Sequence, residues 1–572
     1  MLIFDQYAGY TALGIALVVL VFLSCYRLAL PKPIPGIPYE KAAANSIFGN
    51  MMQVLAFQKT HGRTMLWFAK YSEENAWPLS QVWLRPFSKP MLILTDFAET
   101  ENILLRKSRH YGRGQSFTDT LDKVVPEFHV TLEKEDPRYN ANKGLLRDTM
   151  TPSFLQSVSA PQIYQASNNL VDLWKFKLTT ARGRPFDALE DIFNAASDMI
   201  TAAAFALNDD MSTTFQQLNY LKSLNGDFSL ESNPEHGGVA FPHLPPLPHI
   251  AALDRLSKHI GELGQSIFPR LTHWSMMLTE KELRSSYGTA KRFEASEIEK
   301  SIARLESDEP PASVLDHMVY REKQAANNEN RRPDFHRRGI YDELTGYYQA
   351  GHETTATTVT WAVKYLAQNA NSQEKLREAL HQRHAAAFQA GRQPTVEEIV
   401  HANIPYLNAV IEETLRMRPP FPALIRCALV DTEVMGCMIP KGTSIMMPSI
   451  GPGLHTPALP RPDYLGTSSA EKRRDDWSSK DVHMFKPERW LKRDEEGKAM
   501  VFDASAGPMQ SFGFGPRQCF GKRLAYIQLK VFLTLLMWNF KLKELQGKIA
   551  SDDAHESTTL APKYCFVKLE EA

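Results

Sequence analysis

The feature that most constrains this chain is a cysteine loop near its C-terminus, residues 512–521, which read FGFGPRQCFG. Gly515 and Pro516 predict a tight turn, and Gly521 removes side-chain bulk where a flat cofactor would approach the backbone. Cys519 stands at the predicted start of the last helix, where free amide N–H groups and the helix dipole favour an anionic sulfur. A lone cysteine usually packs as a small buried hydrophobe. Here six positions coincide, which favours a functional thiolate.

This loop resembles the haem-binding signature of the cytochrome P450 family, F-x-x-G-x-R-x-C-x-G. It matches every fixed position, namely Phe512, Gly515, Arg517, Cys519 and Gly521. The resemblance implies haem b (iron protoporphyrin IX) as cofactor, with the Cys519 thiolate as the axial ligand of the iron. It also implies that Phe512 packs by the sulfur and that Arg517 meets a haem propionate. A thiolate ligand pushes electron density onto the iron and favours O–O cleavage.

A second motif, AGHETT at residues 350–355, lies in a predicted long helix over residues 341–368. Thr354 can open the helix by bonding back to a carbonyl, and Glu353 beside it supplies the carboxylate of a proton relay. Alone, the string fits a polar patch on an amphipathic helix equally well. It also matches the family's A/G-G-x-D/E-T-T/S, with Glu for the commoner Asp. The resemblance then implies that Glu353 and Thr354 are the catalytic proton-delivery pair, while His352 is predicted to lie on the helix surface.

A third pattern concerns charged residues with a structural role. Glu413 and Arg416 are three apart in a predicted helix over residues 404–417, so they share one face. An exposed pair of this kind contributes little to stability. However, FKPERW at residues 485–490 resembles the family's second arginine motif. The resemblance implies that Arg489 joins Glu413 and Arg416 in one buried structural network.

Further basic residues are candidates for the haem edge. Residues 143–155, KGLLRDTMTPSFL, resemble the family helix W-x-x-x-R that precedes P-x-F and binds the haem propionates. Arg147 fits that pattern, and Lys143 stands where tryptophan is usual, so its contact would be that of a point charge. Arg426 is a propionate candidate by similarity, and its alternative is an exposed arginine at a strand end.

The remaining patterns predict a mainly α fold with small β-sheets (α+β), and the resemblance specifies the cytochrome P450 fold preceded by one N-terminal transmembrane helix. No βα alternation is present, which disfavours a dinucleotide fold. The predicted elements are helices over 140–225 and 521–539, strands at 81–84 and 90–94, a hairpin over 434–447 around PKG at 440–442, a long loop at 226–248 and a polar insertion at 456–481.

The N-terminus predicts a membrane anchor. Residues 11–26 read TALGIALVVLVFLSCY without a charge, and with their flanks they reach the length of a span. A cleaved secretory signal, the alternative, would carry positive charge before the apolar run, where only Asp5 stands. We therefore expect an uncleaved anchor over residues 1–30, a four-proline hinge over 31–38 and a catalytic domain over 39–572. Basic residues follow the anchor, which favours the endoplasmic reticulum membrane with the catalytic domain facing the cytosol.

Charge and composition narrow the partners. Lys+Arg and Asp+Glu are both 65, so the net charge of zero gives no support to nucleic-acid binding. The chain has no flavin or nicotinamide domain, so the resemblance implies an external electron donor. NADPH–cytochrome P450 reductase is the expected donor, with cytochrome b5 as a second candidate. The resemblance implies that the pocket is shaped by residues 108–131, 205–241, 347–348 and 422–425. These regions are apolar and aromatic, which predicts a lipophilic small-molecule substrate.

The long insertions and the TPSFL string at residues 151–155 resemble fungal members of the family, which implies a role in specialised (secondary) metabolism. The resulting hypothesis is a membrane-anchored monooxygenase that inserts one oxygen atom from O₂ into a lipophilic small molecule. One alternative is an isomerase or dehydratase of the same fold that acts on a peroxide without external O₂. Such members often lose the acid–threonine pair, so Glu353 and Thr354 argue against it. The other alternative is a non-enzymatic haem sensor.

Overall fold

Helices carry most of the fold, and short strands form small sheets beside them. The structure, a computed structural model, describes residues 2–226, 228–233, 235, 237–461 and 481–572, and at residues 2–12, 115 and 116 it describes the backbone alone. The helices are α1 (Leu2–Ala29), α2 (Lys41–Ala44), α3 (Met51–His61), α4 (Thr64–Asn75), α5 (Phe97–Leu105), α6 (Gln115–Leu121), α7 (Pro137–Leu145), α8 (Pro152–Phe154), α9 (Ala160–Ala181), α10 (Leu189–Phe205), α11 (Thr213–Ser223), α12 (Pro248–Gln265), α13 (Pro269–Thr279), α14 (Lys281–Glu306), α15 (Val314–Asn328), α16 (Arg338–Gln368), α17 (Ala370–Arg383), α18 (Ala385–Gln389), α19 (Val396–Val400), α20 (Pro405–Met417) and α21 (Lys522–Asn539). The strands are β1 (Leu79–Val82), β2 (Met91–Leu94), β3 (Tyr111–Gly112), β4 (Phe186–Asp187), β5 (Ala423–Ala428), β6 (Thr432–Val434), β7 (Cys437–Ile439), β8 (Ser444–Pro448), β9 (Leu491–Arg493), β10 (Met500–Phe502), β11 (Phe540–Leu542), β12 (Ala554–Glu556), β13 (Leu560–Pro562), β14 (Phe566–Val567) and β15 (Leu569–Glu571).

Helix α16 lies in the largest hydrophobic core. It buries side chains such as Trp361 and Val359 and packs against α10, α20 and α21. The predicted long helix is confirmed, and it begins three residues earlier than expected. Helix α20 ends at Met417, as predicted, because the residue before a proline is disfavoured in a helix. Helix α21 begins one residue after Gly521 and confirms the predicted last helix.

The main sheet has the strand order β1-β2-β8-β5-β3, in which β2 and β8 are parallel and the other neighbours antiparallel. The strand predicted at 90–94 is confirmed as β2, and the one predicted at 81–84 is found as β1, which begins and ends two residues earlier. The predicted hairpin around residues 440–442 is wrong. Strand β7 instead turns back through Met435 and Gly436 onto β6, while β8 joins the main sheet. Both turn residues have positive φ, which the hairpin signal at proline and lysine did not anticipate.

Two predicted stretches lie in less regular parts of the chain. The loop predicted at 226–248 contains no helix before Pro248 and only isolated bridges among its described residues. The polar insertion at 456–481 falls mostly outside the described residues, since only 456–461 and 481 are placed.

The N-terminal helix α1 carries exposed apolar side chains along its described length, from Leu13 at 73% to Leu28 at 74% exposure. No helix within the placed parts of the chain combines the length and the hydropathy of a membrane span. The proline stretch after it is tied to the body by Gln81. That side chain accepts a hydrogen bond from the Ile34 N–H and donates to the carbonyls of Ile34 and Ile37, at 2.8–2.9 Å.

The hairpin of β12 and β13 inserts between α12 and α16. On one side, the Thr558 hydroxyl donates to the Ser257 carbonyl at 3.2 Å. On the other, the Trp361 indole donates to the Leu560 carbonyl at 2.8 Å. A side chain at Gly261 would collide with the hairpin turn, so glycine permits this close approach. The turn therefore lies directly against the helix that carries the acid–threonine motif.

Candidate haem site

The cysteine loop folds back on itself before α21. The Cys519 N–H donates to the Phe512 carbonyl at 2.8 Å, and the Gln518 N–H donates to the Gly515 carbonyl at 3.0 Å. Gly515 has φ +68°, and a Cβ there would collide with the Leu104 carbonyl oxygen. Beside Gly521, by contrast, there is open space. The loop conformation thus depends on glycine at position 515.

Cys519 lines a cavity of about 720 Å³, to which its side chain is exposed. Protein surrounds the sulfur closely enough that burial raises the pKa of the Cys519 thiol. The Gly521 N–H and the charges of Lys522 and Arg113 oppose that shift. A metal ion deprotonates a coordinating thiol outright. These three groups would therefore favour the same thiolate form that binding to iron requires.

Three arginines form a cluster on the other side of the loop, around the carboxylate of Glu133. Arg517 donates to the Glu133 carboxylate and to the Leu132 carbonyl, both at 2.9 Å. Arg426 is 5% exposed, so the alternative of an exposed strand-end arginine is wrong. With Arg517 it lines a second cavity, of about 290 Å³. Burial first, and then the Arg517 charge, lower the pKa of Arg426 to about 10.

Arg113 completes this cluster and was missed in the sequence. Burial lowers its pKa to about 9, and the charges of Arg426 and Arg517 act in the same direction. Its Nε is buried without a hydrogen-bond partner. Only the pairing of β3 with β5 brings Arg113 near Arg426, and that pairing leaves no signature in the local sequence. No motif could therefore have identified it.

The cluster fits the anionic edge of a haem. Three guanidinium groups around one carboxylate, Glu133, give this partly buried cluster a surplus of two positive charges. Buried charge of one sign is costly unless a counter-charge accompanies it. Haem b carries two propionates, which would supply two negative charges to balance this surplus. The residues present thus fit the group, since a thiol could hold its iron and the surplus guanidinium charge could pair with its propionates.

The helix predicted to bind the propionates is only partly placed as expected. Lys143 lines the Cys519 cavity, donates to the Tyr139 hydroxyl at 3.2 Å and lies 5.6 Å from the Phe520 ring centroid. Arg147 lies beyond the end of α7, where its side chain is 72% exposed and 3.7 Å from the Asp148 carboxylate. It lines neither of the two cavities described above. The structure therefore does not bring Arg147 to the predicted contact.

The acid–threonine pair lies in the middle of α16. The Thr354 hydroxyl donates back to the Ala350 carbonyl at 2.7 Å, the local bond expected from the sequence. Glu353 instead accepts a hydrogen bond from the Thr559 hydroxyl at 2.9 Å. Burial raises the pKa of Glu353, and the Thr559 hydrogen bond opposes that rise. A buried carboxyl with a raised pKa is suited to holding a proton.

The prediction for His352 is wrong, because this residue is 5% exposed. Its ring stacks on Tyr348 with centroids 5.1 Å apart, and its Nδ1 lies 3.7 Å from a carboxylate oxygen of Asp254. Helix α12 covers this face of α16, and the local sequence does not reveal that contact.

The structure brings Glu413, Arg416 and Arg489 together. Arg416 and Glu413 form a 2.7 Å ion pair with neither side chain exposed, so the surface-pair alternative is wrong. Arg489 Nε lies 3.6 Å from Glu413. The Trp490 indole donates to the same carboxylate at 3.0 Å, a partner that the sequence analysis did not single out.

Comparison with known proteins gives the class of the fold. The family model for cytochrome P450 matches residues 41–458 and 469–569. The crystal structure of the cytochrome P450DA haem domain covers 95% of this chain and 98% of its own with a TM-score of 0.66 at 15% identity, which shows the fold alone. The chain belongs to the cytochrome P450 family.

Relatives of known type specify the class further. Cytochrome P450 monooxygenase TRI13 of Fusarium sporotrichioides is 34% identical over 97% of this chain and 98% of its own length. The Hps1-dma1 cluster cytochrome P450 monooxygenase cyp3.1 of Dothistroma septosporum is 37% identical over 50% of this chain and 96% of its own. This protein is a cytochrome P450 monooxygenase, and the family holds haem through a cysteine thiolate.

Proposed function

We propose that this protein inserts one oxygen atom from O₂ into a lipophilic small molecule in fungal specialised metabolism, and that the Cys519 thiolate would hold the iron of haem b. The observation that carries the proposal is the placement of Cys519. Its sulfur lies at a cavity, and Arg517 of the same loop joins Arg113 and Arg426 in the cluster with two surplus charges. Bound haem would supply the activation of O₂. The name of the Dothistroma relative, which assigns it to the Hps1-dma1 cluster, supports specialised metabolism.

The chain's own residues would bind and orient this cofactor and would hold and transfer protons. Arg113, Arg426 and Arg517 would pair with the propionates, and Lys143 would add a charge beside the loop. Glu353 would hold a proton at its carboxyl, and Thr354 would pass it on when its hydroxyl leaves the Ala350 carbonyl. Both groups lie on α16 at adjacent positions.

The decisive experiment is the absorption spectrum of the reduced protein with carbon monoxide. We expect the strongly red-shifted Soret band of a thiolate-bound haem. Cys519→Ala should abolish that band, whereas Cys437→Ala, at a half-buried cysteine in β7, should keep it. Intact protein that shows an ordinary histidine-type band, or a Cys519→Ala variant that keeps the red-shifted one, would contradict the assignment.

We also propose that residues 1–30 anchor the protein in the endoplasmic reticulum membrane with the catalytic domain in the cytosol. NADPH–cytochrome P450 reductase would then be the electron donor, with cytochrome b5 as a second one. The exposed apolar side chains of α1 support the anchor. The test is carbonate-resistant membrane association of the full chain against a chain lacking residues 1–30. Equal release of both chains from membranes would refute the anchor.

A further inference from the structure

The carboxyl of Glu353 is held by a residue far away in the chain. Thr559 lies in the turn between β12 and β13, and its hydroxyl donates to Glu353 Oε1 at 2.9 Å. Thr559 is 1% exposed, so water does not compete freely for that bond. The Thr559 backbone N–H adds a second favourable interaction with the same carboxylate.

A second hydroxyl fixes the direction of this hydrogen bond. Thr357, one turn after Glu353 on α16, lies 2.9 Å from the Thr559 hydroxyl oxygen and is fully buried. A hydroxyl has one proton to donate. When Glu353 is ionised, Thr559 donates its proton to the carboxylate, so Thr357 is the donor to Thr559. The two threonines form a short polarised chain that ends at the carboxylate, and such chains strengthen each bond they contain.

The other charged groups near Glu353 act in opposite directions. His352, its neighbour on α16, favours the carboxylate when protonated, and Asp254 on α12 disfavours it. Asp254 is itself engaged with His352 at 3.7 Å and accepts a 2.5 Å hydrogen bond from Tyr348. Without Thr559, no hydroxyl among the described residues would oppose the effect of burial on Glu353, and only these two charges would modify it.

We propose that Thr559 is a positioning residue for Glu353: its hydroxyl, oriented by Thr357, holds the carboxyl against the C-terminal hairpin and sets when it keeps its proton. This inference rests on the proposed role of Glu353 in proton delivery. It adds that the C-terminal hairpin, and not α16 alone, determines the state of the relay.

The experiment is an infrared titration of Glu353 in the full-length, haem-loaded protein. The C=O band of the protonated carboxyl is assigned by its disappearance in Glu353→Gln. Thr559→Val removes the hydroxyl at nearly constant shape, and we expect the carboxyl to release its proton about one pH unit higher. Thr559→Ser should restore the original titration. Thr558→Val is the matched control, because that hydroxyl lies on the same turn but bonds the Ser257 carbonyl.

An unchanged titration in Thr559→Val, or an equal shift in Thr558→Val, would overturn the proposal. If Thr559→Val does not fold, Thr357→Val decides, since it removes only the donor to Thr559 and should give a smaller shift in the same direction. No shift in that variant would also overturn it. The titration needs no turnover, so its failure is distinct from a carbon monoxide spectrum that contradicts the haem-thiolate assignment.

Discussion

The guanidinium of Arg416 lies 2.7 Å from the carboxylate of Glu413, and neither side chain is exposed to solvent. Arg416 also donates to the Val482 carbonyl at 2.9 Å, so one buried cation joins α20 to the segment before Arg489. A charge pair buried this completely stabilises the protein only while both partners are present. The pair therefore has a structural consequence that can be measured apart from any chemistry.

Removing one partner should destabilise the fold strongly. We expect Glu413→Gln to lower the free energy of unfolding by about 3–5 kcal/mol, because it leaves a buried arginine charge uncompensated. Denaturant unfolding of the haem-loaded protein measures this. The matched control is the Arg392–Glu398 pair, also at 2.7 Å but with side chains 44% and 31% exposed. Its Glu398→Gln variant should unfold almost as the parent does, and equal losses in both variants would contradict the prediction.

The three-arginine cluster predicts which basic residues retain the haem. Arg113→Leu should release haem to an acceptor such as apomyoglobin about 10–100 times faster, because it removes a guanidinium charge proposed to pair with a propionate in a partly buried site. Arg147→Leu should have little effect, since this side chain is 72% exposed. The motif pattern predicts the opposite order. Faster haem loss from Arg147→Leu than from Arg113→Leu would contradict this prediction and would mean that Arg147 binds a propionate in the haem-loaded protein, as the motif implies.

The Thr354 hydroxyl predicts the coupling of electrons to product. Thr354→Ala should retain haem yet divert most NADPH electrons to hydrogen peroxide, because the relay loses its hydroxyl. Peroxide and product per NADPH, measured with the reductase and any substrate that turns over, test this. Thr358→Ala is the control, since it removes an equivalent backbone bond at 2.8 Å one turn further along α16. Unchanged coupling in Thr354→Ala would exclude the relay role.

Glu294 predicts a pH-dependent stability. It is buried between α14 and α16, where burial raises the pKa of its carboxyl from 4.5 to about 8 despite a 2.7 Å hydrogen bond from Thr345. Between these values the unfolded chain has released the proton while the folded protein keeps it, so this group lowers stability as pH rises. Above pH 8 its effect is constant.

Glu294→Gln removes that titration. We therefore expect the variant to gain stability relative to the parent as the pH rises from 5 to 8, by a few kcal/mol at most, since one pKa unit is worth about 1.4 kcal/mol. Melting temperatures of both proteins across this range measure the difference. Parallel curves would mean that Glu294 titrates normally.

Features of the fold that depend on neighbouring residues could be predicted from the sequence, whereas features that depend on contacts between distant segments could not. The ends of α20 and α21 are local, since prolines follow one and the glycine of the cysteine loop precedes the other, and both were predicted. The pairing of β7 depends on Met435 and Gly436 adopting positive φ, and a proline–lysine–glycine string nearby misled the prediction.

The parts of the site that no motif revealed are set by tertiary contacts. Arg113 reaches the cluster through the β3–β5 pairing, and Thr559 reaches Glu353 across 206 positions of the chain. His352 is buried because α12 packs over it. Motifs identified the residues closest to the expected chemistry, whereas the groups that hold or neutralise them come from distant segments.

Gly515 offers a test of the loop itself. Its φ is +68°, and an added Cβ would strike the Leu104 carbonyl, a backbone atom that cannot move aside cheaply. Gly547 has φ +70° but only open space around it. Gly547→Ala should therefore cost about 1 kcal/mol from backbone strain alone. Gly515→Ala should cost clearly more and also shift the carbon monoxide band, because Gly515 lies four residues before Cys519 and its displacement would move the sulfur. Denaturant unfolding and the spectrum of both variants measure this, and equal costs with an unchanged spectrum would mean that the loop tolerates the displacement.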